Sequence, residues 1–142
     1  MLEQHYLTSL FEPKSVAVIG ASERENSVGS IIFKNILDAG YKGRLYAINP
    51  KHETIHGVQA HASIEEIGAR VELAVICTRP QTVPAIVEQC GRSGIKNVIV
   101  ITAGFAEAGH SGAALERKML EIARSYNVRV LGPNCLGFIR PT

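Results

Sequence analysis

The 142 residues include no tryptophan, and aromatic side chains make up only 6% of the chain. They are not interleaved with any run of Lys and Arg. The stacking platforms and phosphate-neutralising runs of a nucleic-acid binder are therefore missing. No apolar run reaches the roughly 18 residues that a membrane span requires. Met1–Glu12 lacks the basic segment followed by an apolar one that marks a secretory signal. Charge of one sign is not in excess: 15 Lys and Arg stand against 13 Asp and Glu, a net of +2. Neither nucleic acid nor a membrane is expected as a partner. The cysteines, Cys77, Cys90 and Cys135, are odd in number and far apart. That excludes a closed disulfide framework and points to a reducing compartment, the cytoplasm. No Cys/His pair has zinc-finger spacing.

What the chain does contain is 46% apolar and 20% charged residues, the balance of a soluble globular domain. Its length suits one domain, residues 1–142. Short apolar runs alternate with amphipathic ones. Ser15–Gly20 reads as a buried strand, followed by a helix over Val28–Ala39 with Val28, Ile32 and Ile36 at a spacing of four. Arg44–Ile48 is the second strand, and a polar, glycine-containing stretch leads to a short helical segment at Ser63–Ile67. Glu72–Cys77 is the third strand. Thr82 is a candidate cap for a helix that tolerates Pro84 in its first turn and stops at Gly94. Asn97–Thr102 is the fourth strand. Gly112–Tyr126 is a helix with the apolar stripe Leu115, Met119, Ile122, Ala123 and Tyr126, and Val128–Leu131 is the fifth strand. This alternation predicts an α/β fold: a Rossmann-like, doubly wound, parallel five-stranded sheet with helices on both faces, in the order 3-2-1-4-5.

Such sheets bind ligands at the carboxyl ends of their strands. After the first strand, Gly20 permits a tight turn, Ser22 offers a hydroxyl, and Ser27 can cap a helix whose start attracts phosphate. Gly29 allows that helix a close approach. The dinucleotide spacing G-x-G-x-x-G and the P-loop triplet are both absent. After the second strand, Asn49-Pro50-Lys51 replaces the acidic residue of a NAD-binding domain with a cation suited to phosphate. Cys77-Thr78-Arg79-Pro80, Thr102-Ala103-Gly104-Phe105 and Gly132-Pro133-Asn134-Cys135-Leu136-Gly137 follow the other strands. Small or rigid residues thus line all five ends.

The segments Phe11–Ser22, Ile48–Lys51, Thr102–Phe105 and Leu131–Gly137 resemble the N-terminal CoA-binding domain of NDP-forming acyl-CoA synthetases, the ADP-forming acetate–CoA ligases among them. The resemblance covers essentially the whole sequence. The succinyl-CoA synthetase alpha subunit is a more distant relative, and bacterial protein lysine acetyltransferases carry the same domain. The resemblance implies coenzyme A or acyl-CoA as cofactor, with acetyl-CoA among the ligands. It implies that Gly20, Ala21, Ser22 and the helix start at Ser27, Val28 and Gly29 lie against the CoA diphosphate. It places Lys51, beside Asn49 and Pro50, near a CoA phosphate, and Ile101, Thr102, Ala103 and Gly104 against the cofactor. Thr78 and Pro80 complete the edge, and the turn with Asn134 faces the next domain. Succinyl-CoA synthetase has a glutamate where Ala103 stands, so that contact is missing.

The resemblance further implies partners: a phosphohistidine domain and an ATP-grasp domain, neither of which is in these residues. This chain is then expected to be the first domain of a longer protein, binding CoA and catalysing nothing by itself. His110-Ser111-Gly112-Ala113 imitates the phosphohistidine stretch but falls in the wrong place along the chain, ahead of the last helix. His52, His56 and His61 fall in one loop-like stretch without a fixed metal face. Cys135 has no activating neighbour in sequence. Two other readings stand beside the first: an NAD(P)-binding oxidoreductase or sensor domain, and an interaction module with a vestigial groove.

Overall fold

The computed structural model describes residues 12–102, 105 and 109–132. Along them run β1 (Ser15–Ile19), α1 (Val28–Asp38), β2 (Arg44–Ile48), β3 (Thr54–Ile55), β4 (Val58–His61), β5 (Leu73–Ile76), α2 (Val83–Arg92), β6 (Asn97–Val100), α3 (His110–Ser125) and β7 (Arg129–Leu131). Short 3-10 turns at Ile64–Ile67 and Pro80–Thr82 precede β5 and α2.

The described strands form one sheet in the order β3-β4-β2-β1-β5-β6-β7. Every pairing is parallel except that of β3 with β4. β1 is buried at all five positions because both faces of the sheet are covered. Its residues divide with a period of two. Ala17 and Ile19 face Val83, Val87, Met119 and Ala123 of α2 and α3, whereas Val16 and Val18 face Ile32, Phe33 and Ile36 of α1. The expected stripe on the last helix is its core face, with Met119 and Ala123 buried and Leu115, Ile122 and Tyr126 packed beside them.

The α/β, doubly wound fold is the one the alternation predicts, with two corrections. The sheet has seven strands rather than five, since Thr54–His61 forms the β3–β4 hairpin. The order 3-2-1-4-5 also fails for the five strands read from the sequence. The third of them, β5, pairs with β1 on the side away from β2, and the outer place beside β2 belongs to β4. The hairpin was illegible because it lies at the sheet margin. Its strands are two and four residues long, and only Ile55 is buried.

Two smaller expectations also change. Val28 does not join Ile32 and Ile36 in the core; it is 44% exposed in the first turn of α1, past the end of the sheet. α3 starts at His110 behind Gly109, and His110 is exposed.

Candidate cofactor site

β1 ends at Ile19, and Gly20 turns the chain with φ +90°, a conformation open to glycine and strained for other residues. A Cβ on Gly20 would stand 3.0 Å from Thr78 Cγ2 and 3.1 Å from the Cys77 carbonyl carbon. The turn therefore touches the end of β5. This is where the sheet's winding reverses: α1 returns the chain to one side of β1, and α2 and α3 carry it away on the other.

α1 sits on that turn. A Cβ on Gly29 would lie 1.9 Å from Gly20 O and 2.9 Å from its carbon, both backbone atoms. Only glycine lets the helix start so close to the strand end. Ser27 caps the helix: its Oγ accepts from Ser30 N at 3.2 Å, and its carbonyl from Ile31 N at 3.0 Å. The N–H groups of Val28 and Gly29 have no acceptor inside the helix. With the positive end of the helix dipole, they favour an anion at this edge. No acidic residue occupies the first turn.

The loop between Gly20 and Ser27 is tied internally, with Arg24 N donating to Ser22 Oγ at 2.9 Å and Ser27 N to Arg24 O at 3.1 Å. It is also tied across the sheet by Asn49. Asn49 Nδ2 donates to Ala21 O at 2.8 Å, and Oδ1 accepts from Lys51 N at 2.8 Å. Its own N–H donates to His61 O at 2.9 Å. Asn49 thus holds the first loop, its own turn and β4 together. Pro50 and Lys51 are exposed, and Lys51 forms no ion pair among the described residues.

On the other side of the switch point, Thr102 Oγ1 donates to Thr78 O at 2.7 Å. Thr82 Oγ1 lies 2.6 Å from Arg79 O and 2.7 Å from Thr78 Oγ1. One hydroxyl has one proton, so Thr82 donates to the carbonyl and accepts from Thr78. Thr82 consequently makes no cap bond to α2, in contrast to its reading as a cap. Ile101 is 4% exposed and lies in the core on the α1 face, so only its backbone is free to face a ligand. Burial pushes the Cys77 thiol up to about 12, which keeps it protonated and non-nucleophilic near neutral pH. Ala103, Gly104 and Asn134, and also Cys135, fall outside the described residues.

The structure thus gathers Gly20, Ala21, Ser22, Ser27, Val28, Gly29, Asn49, Pro50, Lys51, Thr78, Pro80 and Thr102 on one sheet edge. The sequence reading missed His56, Glu23 and Ser30, which join the hairpin to this edge. The available signal was His56-Gly57 between Ile55 and Val58, a two-residue turn weaker than Asn-Gly. Of the other histidines, His52 is exposed and His61 packs edge-on to Tyr46 at 5.9 Å.

Residues 14–141 match the family described as CoA binding domain. The chain belongs to that family. The CoA-binding domain is 48% identical over 130 residues to an ADP-forming acetate–CoA ligase of Archaeoglobus fulgidus, covering 92% of this chain and 19% of the ligase. Another ADP-forming acetate–CoA ligase, from Methanocaldococcus jannaschii, is 46% identical across 89% of this chain and 18% of its own. The dinucleotide-forming acetyl-coenzyme A synthetase 1 of Candidatus Korarchaeum cryptofilum, solved with phosphate and ADP, has a TM-score of 0.89 to the CoA-binding domain. Its identity is 37%, over 95% of this chain and 29% of that one. The domain is therefore homologous to one part of ADP-forming acyl-CoA synthetases and spans about a fifth of the curated relatives' length. No helix among the described residues is long and apolar enough to cross a membrane.

Proposed function

We propose that this edge binds coenzyme A, as free CoA or as an acyl thioester, on behalf of an ADP-forming acyl-CoA synthetase of the cytoplasm. The observation that carries the reading is the Gly29–Gly20 contact at the switch point, inside a chain that matches the CoA binding domain family along nearly all its length. A cofactor carrying a diphosphate fits this cradle. The N–H groups of Val28 and Gly29 face it, no Cβ intrudes from either glycine, and Lys51 extends from the neighbouring strand end as a phosphate partner. The bound cofactor supplies a thiol that carries the acyl group. This chain's residues supply the phosphate grip and the orientation of the thiol arm. Val28, exposed at the helix start, offers apolar surface beside the phosphates.

Phosphoryl transfer is assigned to a phosphohistidine and an ATP-grasp domain outside these residues. His110 takes no part: it is the exposed first residue of α3, which packs on the opposite face of the sheet from α1.

The test is isothermal titration of the chain with CoA, acetyl-CoA, NAD and NADP in parallel. Saturable binding of CoA, with little response to the dinucleotides, is the expected result. Binding of NAD or NADP without CoA would replace the reading with an oxidoreductase or sensor domain.

A further inference from the structure

His56, at the tip of the hairpin, makes contacts in three directions. Its backbone N–H donates to Glu23 Oε1 at 2.8 Å, and its Nε2 lies 2.9 Å from Ser30 Oγ. Its ring stacks on Phe33 with the centroids 6.4 Å apart. It holds these contacts at φ +47°, a backbone region that side chains enter at a cost. Gly57 follows at φ +82°, and Ile55 pairs with Val58, so two residues with positive φ close the hairpin.

The partners of His56 belong to the cofactor edge. Glu23 lies in the loop between Gly20 and Ser27. Ser30 is 6% exposed in the first turn of α1, and its N–H is the one capped by Ser27. The hairpin starts just past Lys51, and Ala60 N closes its base on Glu53 O at 2.8 Å. The two walls of the site, Gly20–Ser30 and Asn49–Lys51, are therefore joined twice. Asn49 joins them near the sheet through Ala21 O. The hairpin joins them farther out, through Glu23 and Ser30.

We infer that the β3–β4 hairpin is a clasp that sets the spacing of the phosphate-binding walls, with His56 and Glu23 as its positioning residues. The inference rests on the reading of this edge as the CoA phosphate site. It also explains a carboxylate in a loop built for an anion. Engaged on the His56 N–H, Glu23 is held by the hairpin and not left to repel the phosphates.

The sign of one substitution separates the clasp from simple electrostatics. Removing the negative charge of Glu23 alone should tighten CoA binding. Losing the clasp should weaken it. The experiment titrates the chain and its Glu23→Ala, Glu23→Gln and His56→Gly variants with CoA, and follows exchange of the His56 amide proton. Glu23→Gln keeps a carbonyl oxygen as acceptor. His56→Gly keeps the turn, which glycine favours, and removes the ring. The clasp predicts CoA binding weakened about tenfold in Glu23→Ala, with faster exchange at His56. It predicts Glu23→Gln binding CoA as tightly as wild type or more tightly, and His56→Gly between wild type and Glu23→Ala. Equal or tighter CoA binding by Glu23→Ala would overturn it. If the wild-type chain does not bind CoA, the cofactor reading falls, and the clasp itself falls only if His56 exchange ignores Glu23→Ala.

Discussion

The two edges of this sheet use similar side chains for opposite ends. At the amino edge the polar groups are closed on the protein itself. Ser15, 4% exposed, donates through Oγ to Arg70 O at 3.0 Å and accepts from Glu72 N at 2.9 Å. Glu72 Oε1 accepts from Lys14 N at 2.8 Å, and Tyr41 OH donates to Pro13 O at 2.6 Å. At the carboxyl edge, Asn49 and Thr102 bond across to neighbouring loops, and Ser22 and Thr78 bond within their own. Yet that lattice leaves the helix-start N–H groups without an acceptor inside the helix, and Lys51 exposed with no ion pair among the described residues. Helix polarity accounts for the asymmetry: α1 brings its positive end to the carboxyl edge and its negative end to the other. The same strands thus give one edge closed on itself and one whose helix start favours an anion.

The comparison predicts that stability and binding can be damaged separately. The largest effect should come from Gly29→Ala, where the two meet. The added methyl collides with the Gly20 carbonyl, and backbone has little room to yield. A loss of about 2–3 kcal/mol is expected from overpacking, despite alanine's helix preference, together with loss of CoA binding. Denaturant midpoints and titration check both. Next comes Lys51→Ala, which should weaken CoA by about 1.5–3 kcal/mol and leave the unfolding midpoint where it was. Pantetheine and dephospho-CoA should lose less. Equal weakening of all three ligands would remove Lys51 from the phosphate site.

Ser15→Ala is the converse. It orphans Arg70 O and Glu72 N and should lower stability by about 1–2 kcal/mol with CoA affinity unchanged. Altered affinity in that variant would break the division between edges. The last effect appears only in alkali. Burial pushes the Cys77 and Cys90 thiols and the Tyr41 hydroxyl up to about 12, against 9.0 for a thiol and 10.0 for a phenol. For Tyr41 the nearby Glu72 adds to the rise. The unfolded chain sheds these protons first. Stability is therefore fully present below pH 9 and falls as pH rises toward 12. Cys77→Ala should flatten that fall from about pH 9, and Tyr41→Phe only from about pH 10. Unfolding midpoints across the range measure it.

What the sequence showed follows the same physical line. The strands β1, β2, β5, β6 and β7 were legible because pairing within a covered sheet demands continuous apolar runs such as Val16–Ile19 and Val98–Ile101. Ser27 was legible as a cap because capping is local. The hairpin was not, since Gln59 and His61 in a four-residue strand carry no apolar period. Asn49 was read as a phosphate neighbour, and the bridge its amide makes between Ala21 and Lys51 went unread because its Ala21 contact is set by strands meeting in space. Thr82 was read as a cap from its place at the helix start, whereas its proton goes to Arg79 O, three residues back.

The proposed function puts the ligand on the carboxyl edge, at the turn shared by Gly20 and Gly29. Backbone amide resonances of the isotope-labelled chain, followed through a CoA titration, test it most directly. The expected shifts concentrate at Gly20–Ser30, Asn49–Lys51, Thr78 and Thr102, with Ser15, Glu72 and Asn97 still. Shifts centred on the amino edge, with Gly20 and Gly29 unmoved, would contradict it.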